Sequence, residues 1–256
     1  MPRPPTWRES WPSPMGSGAG GPSSRWEDRL VPVSPEVTAE TDVVLLGGAV
    51  TAATLLSSYR QGLFPMGIDV ETGAGVPPET VCGWFAPAQR AVLRYPGMHV
   101  SRSLRRSMRD FQVTFDRDFG AVLAGCADPR RAGSWITAEY EAAYRELAAA
   151  GCAHSVEVWR EGRLVGGLIG IELGGLFCAD SKFRTVTDAS KAAVAGLSQL
   201  VFSAPAAERR MIDAQWLTGH LASLGFTGLD RADYEAGLSD LVALPSAFPA
   251  PGSRTR

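Results

Sequence analysis

The sequence predicts an α+β fold, a layered α/β arrangement, and three stretches carry that expectation. Thr137 to Gly151 puts Ala143, Tyr144 and Leu147 on one side of a helix, with Thr137 as its cap, Glu139 in its first turn and Gly151 as its stop. HSVEVWREGRLVGGLIGIELGGLFCADSKF, from His154 to Phe183, alternates with period two between turns at Glu161-Gly162 and Gly174-Gly175. That is the pattern of a three-stranded antiparallel meander. Asp188 then opens the helix DASKAAVAGLSQLVFSA, whose Ala189, Ala192, Ala193, Leu197, Leu200 and Val201 form a buried side. The strand MIDA, the helix LTGHLASLG and a short segment from Asp233 to Leu238 complete an order that suits helices packed on a sheet.

Upstream, VVLLGGAVTAATLLSSYRQGLFP reads as an apolar segment from Val43, a Gly-Gly turn, and a helix with Leu55, Leu56 and Tyr59 on one side that stops at Gly62. VCGWFAPAQRAVLRYP follows as two short strands around the Pro87 turn. These elements make a small N-terminal α/β lobe over residues 25–97, followed by a larger domain over 98–240. Residues 1–24 hold six prolines among Gly and Ser, too little apolar surface to offset chain entropy, and are expected to be a disordered tail that includes Trp7 and Trp11. Residues 241–256 are expected to be a flexible C-terminal tail.

With 45% hydrophobic residues the chain of 256 residues can fill a core, and a net charge of −2 argues against a generally basic nucleic-acid coat. Any RNA contact must be focal. SRSLRRSMRD supplies a candidate, because Arg102, Arg105, Arg106 and Arg109 are spaced to share one helical face with no acid before Asp110. The four cysteines, Cys82, Cys126, Cys152 and Cys178, form no CxxC pair, so buried reduced thiols are expected and no metal site. His99, His154 and His220 lack ligand or triad spacing and read as hydrogen-bonded structural residues. The longest apolar stretch, Leu164 to Cys178, is too short to span a bilayer and carries Glu172, and the N-terminus lacks a signal-peptide core; the expectation is a cytoplasmic protein with no membrane partner.

MIDAQWLTGH, from Met211 to His220, holds the most informative polar pair. Strand side chains alternate faces, so Asp213 and Gln215 are expected to point the same way, an acid and an amide able to orient an amine for attack on an activated acyl carbon. The competing reading is an Asp that caps the following helix and a Gln bonded to a loop.

The blocks YRQGLFP, WFAPAQRAVL, SRSLRRSM, SWITAEYEAAY, the meander, DASKAAV and MIDAQWLTGHLASLG, in this order and spacing, resemble the leucyl/phenylalanyl-tRNA–protein transferases. The resemblance runs from Arg25 to Leu238, and many separate blocks carry it. It implies transfer of leucine or phenylalanine from leucyl-tRNA or phenylalanyl-tRNA to the α-amine of proteins beginning with Arg or Lys, tagging them for degradation by the N-end rule. It further implies a larger domain with a GNAT-like acyltransferase fold, no metal or coenzyme, and a monomer. Asp213 and Gln215 match the family's catalytic IDxQ pair. Trp84, Trp135, Tyr144, Phe177 and Leu197 match positions that line the donor side-chain pocket or stack on the terminal adenosine, and the arginines of SRSLRRSMR match a stretch that holds the tRNA acceptor stem.

Some positions depart from the family pattern. Ala179-Asp180-Ser181 stands for a common Gly-Glu-Ser whose Glu receives the acceptor's cationic side chain, and Lys182, two residues on, is placed to pair with Asp180. Thr218 replaces an Asn, while Phe85, Met66 and Leu197 replace common aromatics, which bears on the choice among leucine, phenylalanine and methionine. The alternatives left open are a transferase with a different acceptor residue and a non-catalytic homologue that binds tRNA or an N-terminus. A coenzyme A-dependent enzyme would need a glycine-rich anion turn, and FRTVTDASK between Phe183 and Lys191 has no glycine.

Overall fold

The computed structural model describes residues 29–70, 79–131 and 133–249. The Pro-rich stretch 1–24 with Trp7 and Trp11 lies outside the described residues, as do residues 250–256. The first part of the chain forms a four-stranded sheet from β1 (Leu30–Pro32), β2 (Val43–Gly47), β3 (Phe64–Val70) and β4 (Glu79–Phe85), ordered β1-β2-β4-β3, with α1 (Pro35–Thr41) and α2 (Ala52–Arg60) between its strands. Local chemistry fixes α2 at its start. The Thr51 hydroxyl accepts the Thr54 N–H at 3.1 Å and the Thr54 hydroxyl accepts the Thr51 N–H at 2.9 Å, a reciprocal cap that satisfies two otherwise orphaned donors.

The second sheet has seven strands: β5 (Gln89–Leu93), β6 (Gln112–Phe115), β7 (Ala153–Arg160), β8 (Arg163–Leu173), β9 (Leu176–Arg184), β10 (Met211–Asp213) and β11 (Thr227–Asp230), ordered β11-β5-β10-β9-β8-β7-β6. The meander is β7, β8 and β9, as the alternation predicts, with Glu161 and Gly162 both at positive φ in its first turn. Helices α3 (Arg102–Ser107), α4 (Phe119–Ala127), α5 (Ala138–Ala149), α6 (Ala189–Ser203), α7 (Gly219–Ser223) and α8 (Arg231–Val242) complete the layers. One face of the large sheet buries Ile169, Ile171 and Cys178 against Val122, Tyr144, Leu147 and Tyr234; the other buries Val156, Val158 and Phe177 against Ala192, Leu197 and Val201. Phe177 and Cys178 therefore belong to opposite cores, as strand alternation requires.

The structure moves the boundaries expected from sequence. The strands flanking Pro87 belong to different sheets, since β4 lies in the small one and β5 pairs with β10 and β11 in the large one, so residues 25–97 are not one unit. The first core is also continuous from Val43, Leu45 and Trp84 to Tyr144 and Leu238, so the lobes share buried surface. Thr137 precedes α5 without capping it, because its hydroxyl instead donates to the Glu139 carboxylate. Asp188 behaves similarly: its carboxylate takes Lys191 Nζ at 2.8 Å and the Ser107 hydroxyl at 3.0 Å, not an α6 N–H.

Residues 241–249 are packed, against the expectation of a flexible tail from 241. Glu172 accepts the Ala247 N–H at 2.7 Å and the Ser246 hydroxyl, Arg210 donates to the Pro245 carbonyl at 2.8 Å, and the buried Phe248 ring stacks on His154 at 3.9 Å and on Phe177 at 5.4 Å. His154 is itself buried, with Nδ1 2.7 Å from an Asp116 oxygen and Nε2 3.6 Å from a Glu172 oxygen. The second separation exceeds a hydrogen bond, so Glu172 acts there as a nearby charge. Burial opposes the imidazolium, but the two carboxylates outweigh it and raise its pKa to about 9.

A folded-state pKa above the unfolded value of about 6.5 makes this contribution complete below pH 6.5, with loss as pH rises through about 9. Its upper limit is on the order of 3 kcal/mol, from about 1.4 kcal/mol per pH unit. Urea unfolding between pH 6 and 10 should therefore show wild type losing more stability than His154→Gln, with the two curves converging at high pH. Parallel curves would show that the ion pair is not a source of stability.

Candidate active site

β10 runs parallel to β9, in register Ile212 with Phe177 and Asp213 with Cys178, and then stops, while β9 continues to Arg184. The strands part at that point. Ala214 and Gln215 stay attached to β5 through Ala214 N to Ala91 O at 2.8 Å and Ala91 N to Gln215 O at 3.0 Å. The opening between Ala179–Lys182 on one side and Ala214–Gln215 on the other is a cavity of about 220 Å³, floored by Val194, Leu197, Leu221 and Phe226. Trp135 and Arg131 close a further wall.

Gln215 sits at a φ of 63°, a left-handed conformation that costs a non-glycine residue about 1–3 kcal/mol unless its surroundings hold it. They do so on both sides. Asp213 Oδ1 accepts the Gln215 N–H at 2.8 Å, and Trp216 Nε1 donates to Asp42 Oδ2 at 2.8 Å while its ring lies edge-on to Phe64 and Phe85. Strand alternation thus does not extend to Gln215. Gln215 lines the cavity, whereas Asp213 is fully buried behind it.

Asp213 also binds Arg90, an interaction that local pattern did not reveal. Arg90 Nη2 donates to Asp213 Oδ2, which also accepts the Tyr234 hydroxyl at 3.0 Å. Arg90 Nη1 donates to the Gly62 carbonyl at 3.0 Å, and the guanidinium lies between the rings of Phe64 and Tyr234 at 4.7 and 4.5 Å. Burial works against the charge of Arg90, but Asp213 and Tyr234 more than offset it, so its pKa lies above the ordinary value. An arginine within the apolar strand AQRAVL was the available signal, since such a residue needs a buried counter-charge.

Asp180 is the other carboxylate of the site and lies on the cavity wall. It is the extra residue of a β-bulge, for Ala179 pairs with Gly170 and Ser181 with Ile169. Gly170 is required there: a Cβ would lie 2.1 Å from the Cys178 carbonyl oxygen and 2.5 Å from the Phe177 ring. Three donors converge on the carboxylate, with the Tyr59 hydroxyl at 2.7 Å and Gln215 Nε2 at 3.3 Å on Oδ1, and the Tyr144 hydroxyl at 3.1 Å on Oδ2. Burial raises the Asp180 pKa to about 8, with the tyrosine hydrogen bonds opposing that shift and the Asp213 charge adding to it. Because Gln215 Nε2 is committed to Asp180, its Oε1 is left as an acceptor toward the cavity.

The remaining sequence candidates divide. Trp135 and Leu197 line the cavity, and Tyr144 reaches it through Asp180. Trp84 is buried in β4, donating to the Gly47 carbonyl at 2.8 Å, and Phe177 packs on the opposite sheet face against Phe248. Thr218 is exposed and caps α7, accepting the Leu221 N–H at 3.2 Å. Lys182 lines the cavity but forms no ion pair with Asp180. Arg102, Arg105 and Arg106 are exposed on α3, whereas Arg109 is exposed on the 3₁₀ turn Met108–Asp110, where the helical phase changes. Burial pushes the Cys82 thiol to about 12 and Cys126 to about 11, and raises Cys178 as well, so none of these is a thiolate nucleophile. Among the described residues no group of three or more His, Cys, Asp or Glu is placed to hold a metal ion, and no helix is long and apolar enough to cross a membrane.

Residues 92–239 match the family model described as leucyl/phenylalanyl-tRNA protein transferase. Leucyl/phenylalanyl-tRNA–protein transferases are also similar over most of the chain. One from Shewanella baltica is 39% identical over 214 residues, covering 81% of this chain and 85% of the relative. The chain belongs to the leucyl/phenylalanyl-tRNA–protein transferase family. The relative from Azotobacter vinelandii is 42% identical over 208 residues, covering 80% of the transferase described here and 87% of the relative, and that from Chromohalobacter salexigens is 44% identical over 211 residues, covering 80% and 78%. The transferase is thus an aminoacyltransferase, moving an aminoacyl group from tRNA to protein.

The buried pair gives this transferase a testable dependence. Arg90→Met should lower unfolding stability by about 3–5 kcal/mol, because it leaves Asp213 charged and unpaired. The double change Arg90→Met with Asp213→Asn should recover part of that loss. Additive losses in a double-mutant cycle would show that the two groups do not act as a pair.

Proposed function

We propose that this transferase moves leucine or phenylalanine from leucyl-tRNA or phenylalanyl-tRNA to the α-amine of proteins beginning with Arg or Lys, as a cytoplasmic monomer that tags them for degradation by the N-end rule. The observation that carries the reading is the cavity where β9 and β10 part. Its floor of Val194, Leu197, Leu221 and Phe226 suits an apolar aminoacyl side chain, and its rim presents Gln215 Oε1. Asp180 is the carboxylate among its lining residues, the group suited to a cationic acceptor side chain.

In this reading Gln215 accepts a hydrogen bond from the attacking amine and directs its lone pair at the ester carbon. A carboxamide is not a base. The N–C bond forms, the ester C–O bond breaks, and the proton lost by the amine balances the one gained by the leaving ribose oxygen. Asp213 is a positioning residue, because it is sealed from the cavity and holds the Gln215 backbone. The α3 arginines would hold the acceptor stem through phosphate contacts. A second reading, transfer to a different first residue, is favoured by Lys182 on the same wall and by the three donors already on Asp180.

Transfer of labelled leucine and phenylalanine to peptides that differ only in their first residue tests both. Transfer confined to Arg and Lys supports the first reading, and transfer to Asp, Glu or Ala peptides supports the second. Gln215→Ala should slow single-turnover transfer about 100-fold or more with little change in tRNA binding; equal loss of both would remove its catalytic role.

The ionised Asp180 carboxylate accepts from all three donors together, whereas its protonated form competes as a donor and frees the Gln215 amide to turn. Productive attack then needs both a neutral amine and an ionised Asp180 with pKa near 8. Below pH 7 the logarithm of kcat/KM should rise with pH at a slope approaching two in wild type and one in Asp180→Asn. Identical slopes would exclude Asp180 ionisation from the rate.

A further inference from the structure

The wall that carries Asp180 continues as a set of basic side chains. Lys182 lines the cavity, Arg184 is exposed two residues further along β9, Lys191 stands in the first turn of α6, and His220 on α7 adjoins the cavity residue Leu221. Lys182 and Arg184 share one face of β9, and Lys182 and Leu221 line the same cavity, with His220 beside Leu221 at its edge. Burial, aided by the charges of Lys182, Lys191 and Arg184, lowers the His220 pKa, so its imidazole is a neutral hydrogen-bond donor there. Asp188 is the neighbouring carboxylate, and it is already engaged by Lys191 at 2.8 Å and by Ser107 of α3 at 3.0 Å. The Lys182 ammonium has no carboxylate or hydrogen-bond partner among the described residues, although it is half-buried. The Arg131 guanidinium beside it donates to the carbonyls of Cys126 and Lys182, which adds positive charge without neutralising any.

Burial lowers the Lys182 pKa, so its ammonium is held at a cost that an anion lodged among these basic groups offsets. The chemistry of the donor places one there. An aminoacyl ester in the cavity puts its ribose at the mouth, and the terminal phosphodiester is separated from the ester by that ribose alone. We propose that Lys182, Arg184 and His220 form a phosphate site at the cavity mouth that binds the 3′-terminal phosphodiester of the donor RNA. Lys191, Asp188 and Ser107 join this site to the arginines of α3, giving one basic track from acceptor stem to ester. The proposal rests on the reading of the chain as a tRNA-dependent transferase.

The probes are two hydrolysis-resistant nucleosides, 3′-phenylalanylamido-3′-deoxyadenosine and the same compound with a methyl phosphodiester at its 5′ position. Their Kd values would be measured by calorimetry at low salt in wild type, in Lys182→Met/Arg184→Gln, and in the charge-keeping Lys182→Arg/Arg184→Lys. In wild type the added phosphodiester should tighten binding about tenfold, a gain that weakens as salt rises. The neutral variant should lose most of that gain and the charge-keeping variant should retain it, each compared with the uncharged nucleoside in the same protein. Equal affinity of the two probes in wild type, or a gain unchanged in the neutral variant, overturns the phosphate site while nucleoside binding still supports the transferase reading. If the neutral variant changes which peptides accept transfer but keeps the gain, Lys182 belongs to acceptor recognition and the proposal fails. If neither probe binds wild type, the reading of this cavity as the aminoacyl-ester site fails and the phosphate site with it.

Discussion

A guanidinium sealed from water must meet a carboxylate, and the Arg90–Asp213 pair is the constraint on which the rest of the site depends. Apolar burial is non-directional and would let the small lobe settle in many ways. Arg90 is directional: it fixes the Gly62 carbonyl from the small lobe, Tyr234 from α8 and Asp213 from β10 around one group carried by β5. The second oxygen of Asp213 is then free to hold the Gln215 N–H. A charge whose compensation is structural thus ends by aiming the one amide that faces the cavity.

The cavity has an equally simple origin. The β9/β10 pair is the parallel one in a sheet whose other neighbours are antiparallel, and β10 is three residues long. When it ends, β9 continues with only β8 beside it, and the apolar layer holding Val194, Leu197, Leu221 and Phe226 forms a floor beneath the gap. The bulge at Asp180 turns one carboxylate into that gap, and Tyr59 and Tyr144 keep it there. The ester substrate arrives already activated, so a site built for orientation suffices for acyl transfer. The protonated thiols and the sealed Asp213 agree with such a division of labour.

The positive groups follow the same logic at larger scale. In a chain of net charge −2, α3 carries three exposed arginines and the edge running from Lys182 toward α6 carries Arg184 and Lys191. Focal placement of this kind suits recognition of an RNA end, since distributed charge would favour non-specific contact.

Sequence by itself determined the elements whose causes are local. Period-two alternation and Glu161-Gly162 specified the meander, the apolar face of α6 specified its buried side, and the ordered blocks specified the family. Trp135, Leu197, Asp180 and Gln215 were legible as candidate site residues because they stand in those blocks, and the structure brings all four to one cavity. Tertiary structure decided what depends on partners far apart in the chain. Arg90 and Asp213 meet across 123 positions and Tyr59 and Asp180 across 121, separations at which no local pattern carries information. It also moved Trp84 and Phe177 into the core, placed Thr218 at a helix cap, and packed Phe248 on His154. An aromatic or a hydroxyl is equally suited to a core, a cap or a cavity wall, and only the position of its neighbours selects among them.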